Sequence, residues 1–106
     1  MQIQLKELIM IERHVTFNVI PGKEKDFETV FKNAYCIAMS RQPGFVSVTL
    51  LKEHDKEAAY QMVIRFQSLE SAAAWRDSAD HKTLSPKIKA LYKESTVQVY
   101  EVVAQK

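Results

Sequence analysis

Both glycines of this 106-residue chain follow a proline, in Pro21-Gly22 and Pro43-Gly44, and each pair falls where the hydropathy period changes. Before Pro21 the run Ile11 to Ile20 alternates, with Val15, Phe17 and Val19 on one side and His14, Thr16, Asn18 and Ile20 on the other. That is the period of a strand. Between the two pairs the period lengthens: Phe27, Val30, Phe31, Ala34, Ile37 and Ala38 form one stripe, opposite Lys25, Glu28 and Lys32. That is an amphipathic helix. Early acids (Glu24, Asp26, Glu28) and a late Arg41 complement its dipole. The second Pro-Gly pair stops it.

After Gly44 the strand period returns over Phe45 to Lys52, a polar stretch from Glu53 to Glu57 makes a hairpin connection, and Ala59 to Gln67 alternates again. Tyr60, Met62, Ile64 and Phe66 share one face of this third strand. Ser68 is placed to cap a second helix carrying Leu69, Ala72, Ala73 and Trp75. A break is expected from Ser78 to His81, and Ser85-Pro86 should start a further turn or two through Ile88, Leu91 and Tyr92. Thr96 to Val103 reads as the last strand. The order is βαββαβ. Right-handed crossovers then set both helices on one side of a four-stranded antiparallel sheet, an α+β, ferredoxin-like arrangement.

An apolar fraction of 46% with 26% charged residues suits one globular domain, expected over residues 10–106, with residues 1–9 as an N-terminal extension. The 15 basic and 13 acidic residues are interleaved, so no nucleic-acid partner is expected. No apolar run reaches the roughly 18 to 20 residues that would cross a bilayer. The N-terminus lacks a basic region followed by an apolar core, so no secretory signal is expected. A single Cys36 cannot make an internal disulfide, which fits the cytoplasm. Both faces of the second and last strands carry apolar residues, so a symmetric homodimer joined sheet to sheet is expected.

Two groups of residues carry chemistry. Trp75, the only Trp, stands among alanines six positions before His81; it either lines a cavity or fills the core. His81, expected at a helix break, is either a base at a cleft mouth or a helix-end His contacting carbonyls or Asp80. His14 and Asn18 share a strand face and orient a ligand only if that face meets the cavity. Phe31 and Tyr35 are the helix aromatics expected to border it, and Arg65 reads as an ion-pair partner or a substrate anchor. Cys36 reads as a small buried hydrophobe, and His54 as a solvated loop residue. No metal-ligand spacing, phosphate loop or Ser elbow appears, so no metal site is expected.

Val15-Thr16-Phe17-Asn18-Val19-Ile20-Pro21-Gly22 ahead of a helix, Gln42-Pro43-Gly44-Phe45 opening a strand, and the block from Phe66 through Trp75 to His81 together resemble the antibiotic biosynthesis monooxygenase-like family of dimeric α/β barrels. The resemblance spans about Met10 to Val103. It implies a ligand cavity between helices and sheet, lined by Trp75, and a small monooxygenase acting on an aromatic phenol or quinol without added cofactor. Catalytic roles then fall to His81, Trp75 and Asn18, and substrate contacts to Phe31, Tyr35 and His14. The heme-degrading members of that family imply an alternative, with His81 as the iron ligand and an assisting Asn on the first strand. In the register set by Pro21-Gly22 that Asn falls at Val15, which favours the cofactor-free reading. A non-catalytic small-molecule-binding dimer is the third reading.

Overall fold

The computed structural model describes residues 9–106, so the extension expected over residues 1–9 lies, but for Ile9, outside the described residues. Strand β1 (Ile11–Val19) is followed by α1 (Glu24–Val30), a π-helical turn (Phe31–Tyr35) and α2 (Cys36–Ser40). Strands β2 (Phe45–Lys52) and β3 (Ala59–Phe66) form the hairpin; α3 (Leu69–Asp77), α4 (Ala79–Lys89) and β4 (Tyr92–Glu101) complete the chain. The sheet order is β2-β3-β1-β4, and all three pairings are antiparallel. This is the ferredoxin-like α+β fold, with the helices on one face.

Alternation along β1 and β3 sorts side chains as the period required. Val15, Phe17, Val19, Tyr60, Met62, Ile64 and Phe66 are all buried beneath the helices. Phe17 meets Phe27 and Tyr92 edge-on, with ring centroids 5.1 and 5.2 Å apart.

Two glycine positions are set by geometry. Gly22 (φ +90°) and Gly44 (φ +81°) both adopt left-handed backbone conformations that residues with a Cβ rarely tolerate. A Cβ on Gly44 would also lie 2.5 Å from the Ser71 Cβ. Gly44 is therefore the point where the start of β2 passes under the start of α3. Its carbonyl accepts from the Gln67 N–H at 2.8 Å. Ser68 caps α3 as expected, in a reciprocal pair with Ser71: each side-chain oxygen accepts from the other residue's backbone N–H at 3.1 Å.

The structure departs from the sequence reading at three places, each for a local reason. The first helix buries Phe27, Phe31, Tyr35, Ala38 and Met39, while Ile37 is exposed. The π-helical turn widens the helix over Phe31–Tyr35, so the buried stripe advances in steps of four and turns Ile37 outward. The second correction concerns the helix after the break. It begins at Ala79, because Ser78 closes α3 and its Oγ then accepts the His81 N–H to cap α4. Pro86 sits inside α4 rather than at its start. Third, β4 starts at Tyr92, four residues earlier than Thr96, because Tyr92 pairs with Val19 across a register shift in β1.

Pairing also divides the apolar residues of the edge strands. A bulge between Phe45 and Ser47 brings Phe45, Val48 and Leu50 against the core and leaves Val46 and Leu51 exposed. Val97 and Val99 pair with Val15 and Arg13 and so share the helix-side face, beyond the edge of helix cover. The helix-free face is thus mixed: Thr16, Asn18, Gln61, Arg65, Thr96 and Gln98 surround Leu51, Val63 and Tyr100.

Candidate active site

A cavity of about 370 Å³ opens between α3, α4 and the β1–β4 half of the sheet. Val15, Phe17, Met62, Ile64 and Ile88 form its apolar floor and wall. Its polar residues come from five elements: Arg13 from β1, Tyr35 from the π-helical turn, Arg76 from α3, His81, Ser85 and Lys89 from α4, and Tyr92 and Ser95 from β4.

The local structure explains each position. Arg13 belongs to the inward alternation of β1, between Ile11 and Val15. Tyr35 is carried inward by the widened turn and is 8% exposed. His81 stands in the first turn of α4, held by the Ser78 cap. Its ring lies edge-on to Trp75 at 5.2 Å and tilted to Tyr35 at 6.2 Å. Trp75 meets Tyr35 at 5.4 Å, also edge-on. The three rings form one packed cluster in which His81 and Tyr35 face the cavity and Trp75 lies behind them.

The electrostatics follow from burial and from the two arginines. Burial lowers the His81 pKa from its usual 6.5, and the Arg76 and Arg13 guanidiniums lower it further, against a smaller opposing effect of Asp77. The imidazole is therefore neutral at pH 7. Burial pushes the Tyr35 hydroxyl up to about 12, with Arg13 and Trp75 opposing, so it stays protonated. Arg13 loses some of its own preference for charge to burial and to Arg76, yet remains a cation at any pH of interest. The site thus offers one neutral base, one buried phenolic donor and two guanidiniums around a hollow with an apolar floor.

The expected site residues separate into two sets. His81 and Tyr35 line the cavity. Trp75 does not line it: at 1% exposure it fills the core, because Tyr35 and His81 stand between its ring and the opening. Phe31 is likewise core, stacked on Tyr35 at 6.2 Å. His14 and Asn18 lie on the far side of the sheet, because even-numbered positions of β1 point away from the helices. His14 is bound there to Glu12 at 2.5 Å and stacked on Tyr100 at 4.7 Å. Arg65 is an ion-pair partner on that same face, its Nε donating to Glu12 at 2.6 Å. Cys36 is half-buried against the core, and His54 is solvated in the hairpin loop. Arg13 and Arg76 were not among the expected site residues. An arginine alternating with Ile11, Val15 and Phe17 was the sequence signal for the first.

Heme needs a ligand and a distal assistant in one pocket. His81 is available, but Val15 occupies the cavity-facing position on β1 and Asn18 points to the opposite side of the sheet. The residues present do not assemble that pair. Among the described residues, no group of three or more His, Cys, Asp or Glu side chains could hold a metal ion, and no helix is long and apolar enough to cross a membrane.

The same architecture occurs in solved structures. SnoaB of Streptomyces nogalater, described as a cofactor-independent oxygenase, superposes (as an Asn-to-Ala variant) with a TM-score of 0.83 at 24% identity, over 91% of this chain and 95% of its own. A protein of Caulobacter crescentus assigned as an antibiotic biosynthesis monooxygenase gives 0.83 at 19% identity, over 94% and 95%. A conserved protein of Methanosarcina mazei gives 0.79 at 17%, over 91% and 95%. No curated protein matches the sequence. The model of the family described as antibiotic biosynthesis monooxygenase matches residues 10–87, nearly three quarters of the chain, and the chain belongs to that family.

Proposed function

We propose that this protein is a monooxygenase that oxidises an electron-rich phenol or quinol with O₂, using no added cofactor. The observation that carries the reading is a His81 kept neutral at the wall of a cavity of about 370 Å³ with an apolar floor, a volume in the range of small-ligand sites. SnoaB, similar in fold, is described as cofactor-independent, which supports the same direction.

The chemistry runs on the substrate's own electrons. A ring nitrogen of His81 takes a phenolic proton. The resulting phenolate, bound away from water, gives one electron to O₂. Superoxide and the aryl radical then join at a ring carbon as a hydroperoxide, which loses water to leave a new carbonyl. For 1,4-dihydroxynaphthalene the balance is quinol plus O₂ giving 2-hydroxy-1,4-naphthoquinone plus H₂O. Tyr35, protonated at all working pH, donates to the peroxide oxygen as charge develops there. The apolar floor of Val15, Phe17, Met62, Ile64 and Ile88 packs against the aromatic ring.

The same reading includes a homodimer joined through the helix-free sheet face, where Leu51 and Tyr100 are 47% and 43% exposed. Such a dimer leaves both helix-side cavities open. One half-buried Cys36 fits the reducing cytoplasm.

The test is O₂ uptake with 1,4-dihydroxynaphthalene and ¹⁸O₂, without flavin, heme or metal. The expected result is hydroxynaphthoquinone carrying one ¹⁸O atom, formed well above the autoxidation rate and without stoichiometric H₂O₂. Uptake no faster than autoxidation across a panel of quinols and phenols would remove the oxygenase reading.

A further inference from the structure

Among the described residues, one buried side-chain nitrogen or oxygen lacks a hydrogen-bond partner: the Nε of Arg13. Buried donors in folded proteins are almost always paired. The surroundings explain why no neighbour answers this one. On β1 Arg13 stands between Ile11 and Val15, and across the sheet it faces Ile64 on β3 and Val99 on β4. The cavity lining includes no carboxylate, and the charges that act on Arg13 come from Arg76 and Tyr35. An unpaired charged donor beside an apolar floor is costly. A group that finds its partner only during the reaction accounts for such a cost, because it favours the transition state over the resting site.

Neither resting reactant is that partner, since a neutral quinol and O₂ carry no charge. After His81 takes the proton, the phenolate charge is spread over the ring and faces the imidazolium that drew the proton away. The one localised anion is reduced oxygen, first as superoxide and then as the peroxide bonded to the ring carbon. A fixed guanidinium favours a charge held on two oxygen atoms over one spread across an aromatic system. Arg13 also acts on both other groups at this place, the His81 imidazole and the Tyr35 hydroxyl.

We infer that Arg13 is a further catalytic residue, whose Nε–H holds reduced oxygen in the cavity. This rests on the oxygenase reading and deepens it. One electron passes from the phenolate to O₂, giving an aryloxyl radical and superoxide, and Arg13 keeps its proton while donating a hydrogen bond to the superoxide. The two radicals pair to form a C–O bond, which leaves a peroxide anion on the same donor. The proton that His81 took from the substrate then goes to the outer peroxide oxygen, and His81 is neutral again. Arg13 makes the electron transfer less uphill and keeps the radical pair together until it combines.

The experiment varies O₂ with 1,4-dihydroxynaphthalene at pH 8, where His81 is neutral in every variant. Arg13→Met should lower kcat/KM for O₂ by about 100-fold, the scale of losing one anion-stabilising donor, while the KM for the quinol stays within about threefold. It should also release superoxide, read as cytochrome c reduction that superoxide dismutase abolishes, where the unaltered protein releases little. Arg13→Lys keeps a charge and should regain about tenfold of the lost O₂ rate. If Arg13→Met changes neither the O₂ dependence nor the superoxide yield while quinol is still oxidised, the inference is overturned and the oxygenase stands. A readout without turnover separates the two claims. Azide, a small anion, should shift the His81 ring resonances of the unaltered protein and not those of Arg13→Met. An equal shift in both proteins would show that Arg13 is not the donor. Azide binding through Arg13 in a protein that oxidises no quinol would leave the anion donor and overturn its catalytic role together with the oxygenase.

Discussion

The two faces of the sheet each hold a concavity, and the larger is not the one proposed to react. On the helix-free face a hollow of about 550 Å³ is bordered by Thr16, Asn18, Gln61, Lys52, Glu53 and Glu94. Its charges are of both signs, Lys52 with Glu53 and Glu94, and Thr16 and Thr96 share a hydrogen bond at its border. On the covered face a hollow of about 370 Å³ carries cations alone, one of them with an unpaired buried Nε, and a histidine held neutral. Size measures where the twisted sheet curves. Unbalanced charge around a perturbed histidine is the better mark of a functional site.

The sharpest way to break this contrast is to remove one polar residue from each face. His81→Ala takes the base from the covered cavity and should lower quinol-dependent O₂ uptake by about 100-fold or more, the usual scale for a general base. Asn18→Ala alters the open hollow and should stay within about twofold of the unaltered protein. A reversed outcome, with Asn18 essential and His81 dispensable, would move the reaction to the other side of the sheet. Rates are to be taken under saturating O₂ so that substrate chemistry is what the electrode reads.

A second test bears on the free face alone. Val63 is half-buried at its centre, paired with His14 on β1 and Thr49 on β2. Val63→Glu would set two carboxylates into a sheet-to-sheet contact, and buried unpaired charge is costly. Sedimentation should show dimer affinity falling at least about tenfold, while quinol-dependent O₂ uptake by each subunit holds. A monomeric unaltered protein would end the dimer proposal and leave the covered cavity untouched.

What the sequence carried about these faces depended on whether the signal was local. Periodicity placed β1, β2 and β3 to within a residue or so, and the Ser68 cap was legible because capping involves neighbours along the chain. The π-helical turn was not, since five residues of ordinary helical character carry no mark of a widened turn; Ile37 therefore changed sides relative to expectation. Pro86 read as a helix start because proline suits that position, whereas the Ser78 cap had already opened the helix seven residues before the start expected at Ser85. The site was half legible. His81 and Tyr35, singled out by residue type, line the covered cavity. Arg13 was visible in the alternation of β1, and only the fold brought it beside Arg76, which lies 63 residues away in the chain. Trp75 illustrates the opposite error: its size suggested a wall, and the fold used that size to fill the core.

The smallest predicted effect is a shift in pH dependence, and it ties the two arginines to the base. His81 has its folded-state pKa below the unfolded value of 6.5, so folding favours the neutral ring. Its contribution to stability is complete above pH 6.5 and declines as pH falls from there toward the lowered folded-state value. With His81 as the base, the acid limb of kcat/KM should lie below pH 6.5, because the base is lost only when the half-buried imidazole accepts a proton. Arg76 is the larger of the two charge effects that hold it down. Arg76→Met should therefore move the acid limb toward higher pH, and Arg13→Met should move it the same way by less, with Tyr35 protonated throughout either profile. Removing Lys52 from the open hollow should leave the limb in place, since no charge there acts on His81. An acid limb unmoved by both arginine substitutions would mean that the group titrating is not His81, and that the covered cavity's cations and its base do not act on one another.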